Sequence, residues 1–139
     1  MARSPSRVSS GGILVLDSEG LGKAVRADPT VTAFIRGAQS HDAVVAVSDL
    51  TLIEAWHSGI NMARFRWYVS RLVVLPVTEE ISWRAIELLR DAGLHGHKYA
   101  IDAVVAASTL ARPGPRVILT SDHDDMSKLC GTRVHIEEV

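Results

Sequence analysis

The sequence predicts a single α/β domain built on a mainly parallel β-sheet with helices on both faces. Its 139 residues, 47% of them hydrophobic, are enough for one domain with a core and too few for two. Short, continuous apolar runs alternate along the chain with longer segments of helical periodicity. Continuous apolar runs are typical of parallel strands that helices cover on both sides, whereas half-exposed strands alternate.

Five apolar runs are the candidate strands. They are residues 13–16 (ILVL), 43–47 (AVVAV), 72–77 (LVVLPV), 116–119 (RVIL) and 133–136 (RVHI). The last run is the most polar, which predicts a position at the edge of the sheet.

Helical periodicity fills the segments between these runs. The predicted helices cover residues 18–25, 29–39, 62–71, 78–92 and 98–111, and shorter helices open at Ser48 and after Ser121. Pro29 suits the first turn of a helix, Ser48 is a good N-cap, and Gly93 is a helix terminator.

The first residues and the overall charge exclude several classes of protein. Residues 1–11 (MARSPSRVSSG) lack an apolar stretch, so we expect a disordered lead-in rather than a secretion signal, with residues 12–139 as the domain. A net charge of -1 argues against binding nucleic acid through a bulk positive field. No apolar run is long enough to span a membrane, and the lone Cys130 has no partner for an internal disulfide, so a reducing cytoplasm is expected.

Four carboxylates occupy positions where an ordinary solvent-exposed acidic residue is not expected. Asp17 and Asp122 come just after predicted strands, and ligands bind at the carboxyl ends of the strands in open α/β sheets. Asp102 lies in a helix that is apolar nearly all round, where an unpaired charge is costly to bury. Glu54 follows the second strand near the same rim. We therefore expect the four to converge on one end of the sheet.

Each carboxylate also has a purely structural interpretation. Asp17 and Asp122 could simply be helix N-caps, which for either residue alone is the favoured interpretation. Asp102 could pair with Lys98 one turn earlier, and Glu54 could be a tolerated surface residue. Taken together these interpretations weaken, because they must all hold independently while one functional site accounts for all four residues.

A convergent cluster of carboxylates needs a cation. Two like charges some 4 to 5 Å apart repel by roughly 3 to 4 kcal/mol near a protein surface. Oxygen ligands without thiolates or paired histidines favour Mg²⁺ or Mn²⁺ over zinc. Hard divalent ions at a concave rim activate water and stabilise charge on a phosphate, so the implied substrate is a phosphoryl ester.

The segments LVLDSEGL, TLIEAW, HKYAIDAVVAA and VILTSDHDDMSKLC, in this order, resemble PIN-domain nucleases, in particular the VapC-like toxins of toxin–antitoxin pairs. The resemblance implies a five-stranded parallel sheet of order 3-2-1-4-5. It also implies metal-dependent hydrolysis of RNA, a neutralising antitoxin and a homodimer. The residues that match the family's acids are Asp17, Glu54, Asp102 and Asp122, with Asp125 as a further metal ligand. The alternative is a catalytically silent PIN-like module that binds RNA or protein.

Other residues are candidate substrate contacts. Thr120 opens the family-like Thr-x-Asp motif, and His97 and Lys98 in GLHGHK could touch phosphates, although the simpler interpretation is that this segment only ends one helix and turns into the next. The predicted helix over residues 62–71 is rich in arginine and aromatic residues. It could bind RNA, but we favour a partner interface, with Met62, Phe65 and Val69 facing the core and Arg64, Trp67, Tyr68 and Arg71 facing outward.

Overall fold

A computed structural model describes residues 11–139, so the expected lead-in falls almost entirely outside the described residues. The strands are β1 (Ile13–Leu16), β2 (Val44–Ser48), β3 (Val73–Leu75), β4 (Arg116–Thr120) and β5 (His135–Glu138). The α-helices are α1 (Ser18–Val25), α2 (Pro29–Ser40), α3 (Asp49–Ala55), α4 (Met62–Val69), α5 (Glu79–Ala92), α6 (Gly96–Leu110) and α7 (His123–Cys130). Within residues 11–139, none of these helices is long and apolar enough to cross a membrane.

The strands form one parallel sheet in the order β3-β2-β1-β4-β5. The central strand β1 pairs on both sides, so that Ile13 lies opposite Val44 in β2 and opposite Arg116 in β4. The predicted strand order and direction are confirmed. Because β1 and β4 are parallel neighbours, their carboxyl ends lie side by side although most of the chain separates them.

Alternate residues of the sheet point to opposite faces, and helices cover both. Ile13 and Val15 belong to a core that includes buried residues of α5, α6 and α7. Leu14 and Leu16 belong to a second core with buried residues of α1, α2 and α4. Each fully buried Leu or Ile contributes roughly 1.5–3 kcal/mol, and the two cores hold β1 rigidly between them.

Several helix ends agree with the sequence signals. Ser48 caps α3 by accepting a hydrogen bond from the Leu50 N–H at 3.3 Å. Pro29 is the first residue of α2, and Gly93 ends α5 in the left-handed conformation at φ 68°.

The structure shifts several predicted boundaries by one or two residues, among them the following three. β3 ends at Leu75 rather than residue 77, because Pro76 has no N–H to donate to the sheet. β5 begins at His135 rather than residue 133, because a 3₁₀ turn over Gly131–Arg133 occupies the start of that run. α6 begins at Gly96 rather than residue 98, with a kink at Tyr99 (φ -112°, ψ 17°).

Candidate active site

Asp17 lies at the carboxyl end of β1 and is the N-cap of α1. Its Oδ1 accepts a hydrogen bond from the Gly20 N–H at 2.8 Å, and its Oδ2 accepts one from the Ser121 N–H at 3.1 Å. The residue is only 7% exposed. Burial raises the pKa of Asp17, and hydrogen bonds from Gly20, Thr120 and Ser121 offset part of that rise. Asp17 therefore is a helix cap, and it also lies at the rim beside the end of β4.

Asp122 and Asp125 form a pair at the start of α7. Asp122 is the N-cap, and its Oδ1 accepts a hydrogen bond from the Asp125 N–H at 3.4 Å. The pKa of Asp125 is raised, first by a hydrogen bond with the Asp122 carboxyl group. Asp124 points away, with a side chain that is 94% exposed. The acids nearest the end of β4 are thus Asp122 and Asp125.

Asp102 is the point on which the acids converge. Its pKa is raised to about 6, first by burial and then by the negative charges of its neighbours. Those neighbours are Glu54, Asp122, Asp17 and Asp125. Among residues 11–139, no salt bridge joins Asp102 to Lys98, so the simple helical pair is not formed. Acids from the ends of β1 and β4 and from α3, α6 and α7 therefore share one local electrostatic environment.

The donor set suits a hard divalent cation, since every acid supplies oxygen. Burial and the charges of neighbouring acids raise the pKa of Asp102, and a bound cation would oppose that rise. Among the residues that the structure describes, however, no three Asp, Glu, His or Cys side chains lie close enough to share one ion. The acids therefore influence one another electrostatically without forming a closed coordination site.

No family model matches this sequence, and no curated protein matches it. Among solved structures, the chain superposes on one from the crystal structure of VapBC2 from Rickettsia felis bound to a DNA fragment from their promoter. The TM-score is 0.67, the match covers 91% of this chain and 98% of that chain, and 13% of the residues are identical. The chain has a PIN-like fold.

Thr120 and Lys98 lie near the acids in this PIN-like fold. Thr120 is completely buried, and its Oγ1 accepts a hydrogen bond from the Asp122 N–H at 2.9 Å while the hydroxyl also bonds to Asp17. This arrangement favours a role for Thr120 in positioning Asp17 and Asp122 over a direct contact with the substrate. His97 and Lys98 are exposed at the start of α6, and Lys98 is near enough to lower the pKa of Asp125.

The arginine-rich helix α4 differs from its prediction. Phe65 is buried as expected, but Met62 is 41% exposed because it begins the helix. Tyr68 is partly buried against the core together with Val69, and burial raises its pKa. The core-facing stripe is therefore Phe65, Tyr68 and Val69, at helical spacings of three and four residues.

A groove that the sequence did not predict also lies in this PIN-like fold. It has a volume of about 380 Å³ and lies between α1 and the connection from α3 to α4, with Glu54 in its wall. Its other lining residues include Arg26, Trp56, His57, Asn61 and Arg64. The available signal was the segment that follows Glu54, in which Trp56 and His57 are adjacent and Arg64 comes seven positions after the histidine.

Proposed function

We propose that this chain is a divalent-metal-dependent endoribonuclease that hydrolyses RNA phosphodiester bonds. The observation that carries the proposal is the pKa of Asp102, raised to about 6 by burial and by acids from separate elements of the fold. Clustered carboxylates without a compensating cation are unfavourable, and metal binding is the common reason for retaining them. The PIN-like fold supports the same assignment.

Four residues would hold Mg²⁺ or Mn²⁺ and serve as the catalytic acids: Asp17, Glu54, Asp102 and Asp122. Asp125 is a further ligand, since it lies beside Asp122. When bound, the ion supplies charge stabilisation at the phosphate and lowers the pKa of water.

The remaining residues position these acids and the substrate. The Ser121 N–H holds one Asp17 oxygen and the Gly20 N–H holds the other, so the carboxylate keeps a fixed orientation. Thr120 fixes the chain at Asp122 through its hydroxyl group. His97 and Lys98, exposed at the start of α6, would contact phosphate oxygens of the RNA.

We further propose that the chain is the toxin of a toxin–antitoxin pair, neutralised by an antitoxin protein, and that it is a homodimer. The structural likeness to a chain of VapBC2 supports a partner protein. Large apolar side chains on the surface, among them Met62, Trp67 and Val73, support an interface. The compartment would be the cytoplasm, where RNA is made and a lone thiol stays reduced.

The test is cleavage of a single-stranded RNA with Mg²⁺ or Mn²⁺, compared with EDTA. We expect wild type to cleave only with the metal and Asp102→Asn to lose roughly 100-fold or more of the rate. Asp91→Asn is the matched control, because its side chain is 71% exposed on α5, outside the acidic cluster. Equal rates for wild type and Asp102→Asn would refute the assignment.

A catalytically silent PIN-like module that binds RNA or protein is the second candidate. It is favoured by the finding that, within residues 11–139, no three potential ligands are close enough to share an ion. Binding of RNA by wild type without metal-dependent cleavage would support this candidate and exclude the nuclease.

A further inference from the structure

The groove between α1 and the α3–α4 connection, here called the α1–α4 groove, adjoins the acidic cluster. Glu54 belongs to both, since it lines the groove and raises the pKa of Asp102. Its volume of about 380 Å³ lies in the range of small-ligand sites. A substrate bound at the acids would therefore extend naturally into this groove.

The groove holds acidic and basic side chains together. Its two acids border the acidic cluster, since Glu54 raises the pKa of Asp102 and Glu19 raises that of Asp17. The guanidinium of Arg26 lies 3.9 Å from the Glu19 carboxylate. The groove therefore places positive charge close to the acids that border the cluster.

Its two arginines are available to a ligand. Arg26 makes only a long contact of 3.9 Å with Glu19, and its side chain is 61% exposed. Arg64 is exposed, and among residues 11–139 no carboxylate forms an ion pair with it. Two solvated guanidinium groups in one groove suit the phosphates of a nucleic acid strand.

An aromatic surface and a fixed hydrogen-bond donor complete the groove. Trp56 is 53% exposed at the end of α3, two positions after Glu54. The His57 Nδ1 accepts a hydrogen bond from the Gly59 N–H at 3.1 Å, which leaves Nε2 as the protonated nitrogen. Indole faces stack on unpaired bases, and a ring N–H donates to base or phosphate oxygens.

We propose that the α1–α4 groove binds the single-stranded RNA next to the scissile phosphate, with Trp56 stacking on a base and Arg64 and Arg26 pairing with the backbone. The inference rests on the proposed function, because the scissile phosphate is defined by the acidic cluster. This proposal makes Arg64 a substrate contact. Arg64 lies in α4, the helix for which the sequence favoured a partner interface.

The test measures RNA affinity in the Asp102→Asn background with Mg²⁺, using fluorescence anisotropy of a labelled single-stranded oligonucleotide. Adding Trp56→Ala should weaken the Kd about tenfold, whereas Trp56→Phe should retain most of the affinity. Adding Arg64→Ala should weaken the Kd several-fold and lower the slope of log Kd against log salt by about 0.7, the value for one single-strand phosphate.

Two matched control variants replace a tryptophan and an arginine that lie elsewhere on the surface. Trp83 is 59% exposed on α5 and Arg36 is exposed on α2, and neither lines the groove. Trp83→Ala and Arg36→Ala should keep the Kd within about twofold. Thermal midpoints of all variants check that each is folded.

The outcomes separate this inference from the proposed function. RNA affinity lost in the groove variants, with no cleavage by wild type, would support the groove as an RNA site and refute only the nuclease. Cleavage by wild type together with an unchanged Kd in both groove variants would overturn the groove assignment. The groove would then be a site for a protein segment.

Discussion

The Asp17 carboxylate accepts a hydrogen bond from the backbone N–H of Ser121, 104 positions further along the chain, at 3.1 Å. The bond joins the ends of β1 and β4, which are neighbours in the sheet. Since the other Asp17 oxygen caps α1, one side chain fixes three elements at the rim where the acids meet.

Replacing Asp17 with asparagine should therefore lower stability as well as abolish cleavage. An amide keeps one acceptor oxygen but places an NH₂ group against the second backbone N–H, which costs roughly 1–2 kcal/mol. Asp28→Asn is the control, because Asp28 caps α2 through a single bond, to the Val31 N–H, that asparagine can also accept. Urea unfolding in EDTA measures both, and equal stability of Asp17→Asn and wild type would contradict this role.

Replacing Asp102 with asparagine should raise metal-free stability above pH 6. The folded-state pKa of about 6 lies above the ordinary 3.8, so the folded state holds a proton that the unfolded state releases. Wild-type stability therefore falls as pH rises between about 4 and 6. The variant cannot ionise and escapes this loss.

Thermal midpoints in EDTA at pH 4 and pH 8 measure the effect. The advantage of Asp102→Asn should be present at pH 8 and should vanish at pH 4. An equal difference at both pH values would show that the variant acts through packing rather than through charge.

Most of the fold could be predicted from local sequence patterns, because the contacts between distant parts of the chain do not change the type of these elements. The run ILVL is β1, and the strand order implied by the family resemblance is the observed one. Boundaries were missed where a backbone detail overrides side-chain character, as at Pro76, which lacks the N–H that β3 would need.

The candidate acids were predicted from the sequence, whereas the contacts that position them were not. Helix capping pairs Asp122 with Asp125 and leaves Asp124 exposed, because the N-cap and the third helical residue share one side of the first turn. The groove beside Glu54 was missed, since it forms between α1 and a loop that are distant in sequence.

Removing the hydroxyl group of Thr120 should impair cleavage without any substrate contact being lost. Thr120→Val leaves the Asp122 N–H unpaired and Asp17 with one fewer donor, so we expect a loss of roughly 1–3 kcal/mol in stability together with a lower kcat. Thr120→Ser keeps the hydroxyl and should retain most of the rate. A raised KM with unchanged kcat would instead indicate direct substrate binding.

The most direct test of the account is calorimetric titration of Mn²⁺ into metal-free wild type, Asp102→Asn and Asp91→Asn. If the acids from separate elements hold one cation site, wild type and Asp91→Asn will bind alike, and Asp102→Asn will bind about 10- to 100-fold more weakly. Binding by Asp102→Asn that equals wild type, or no binding by wild type at millimolar Mn²⁺, would contradict it.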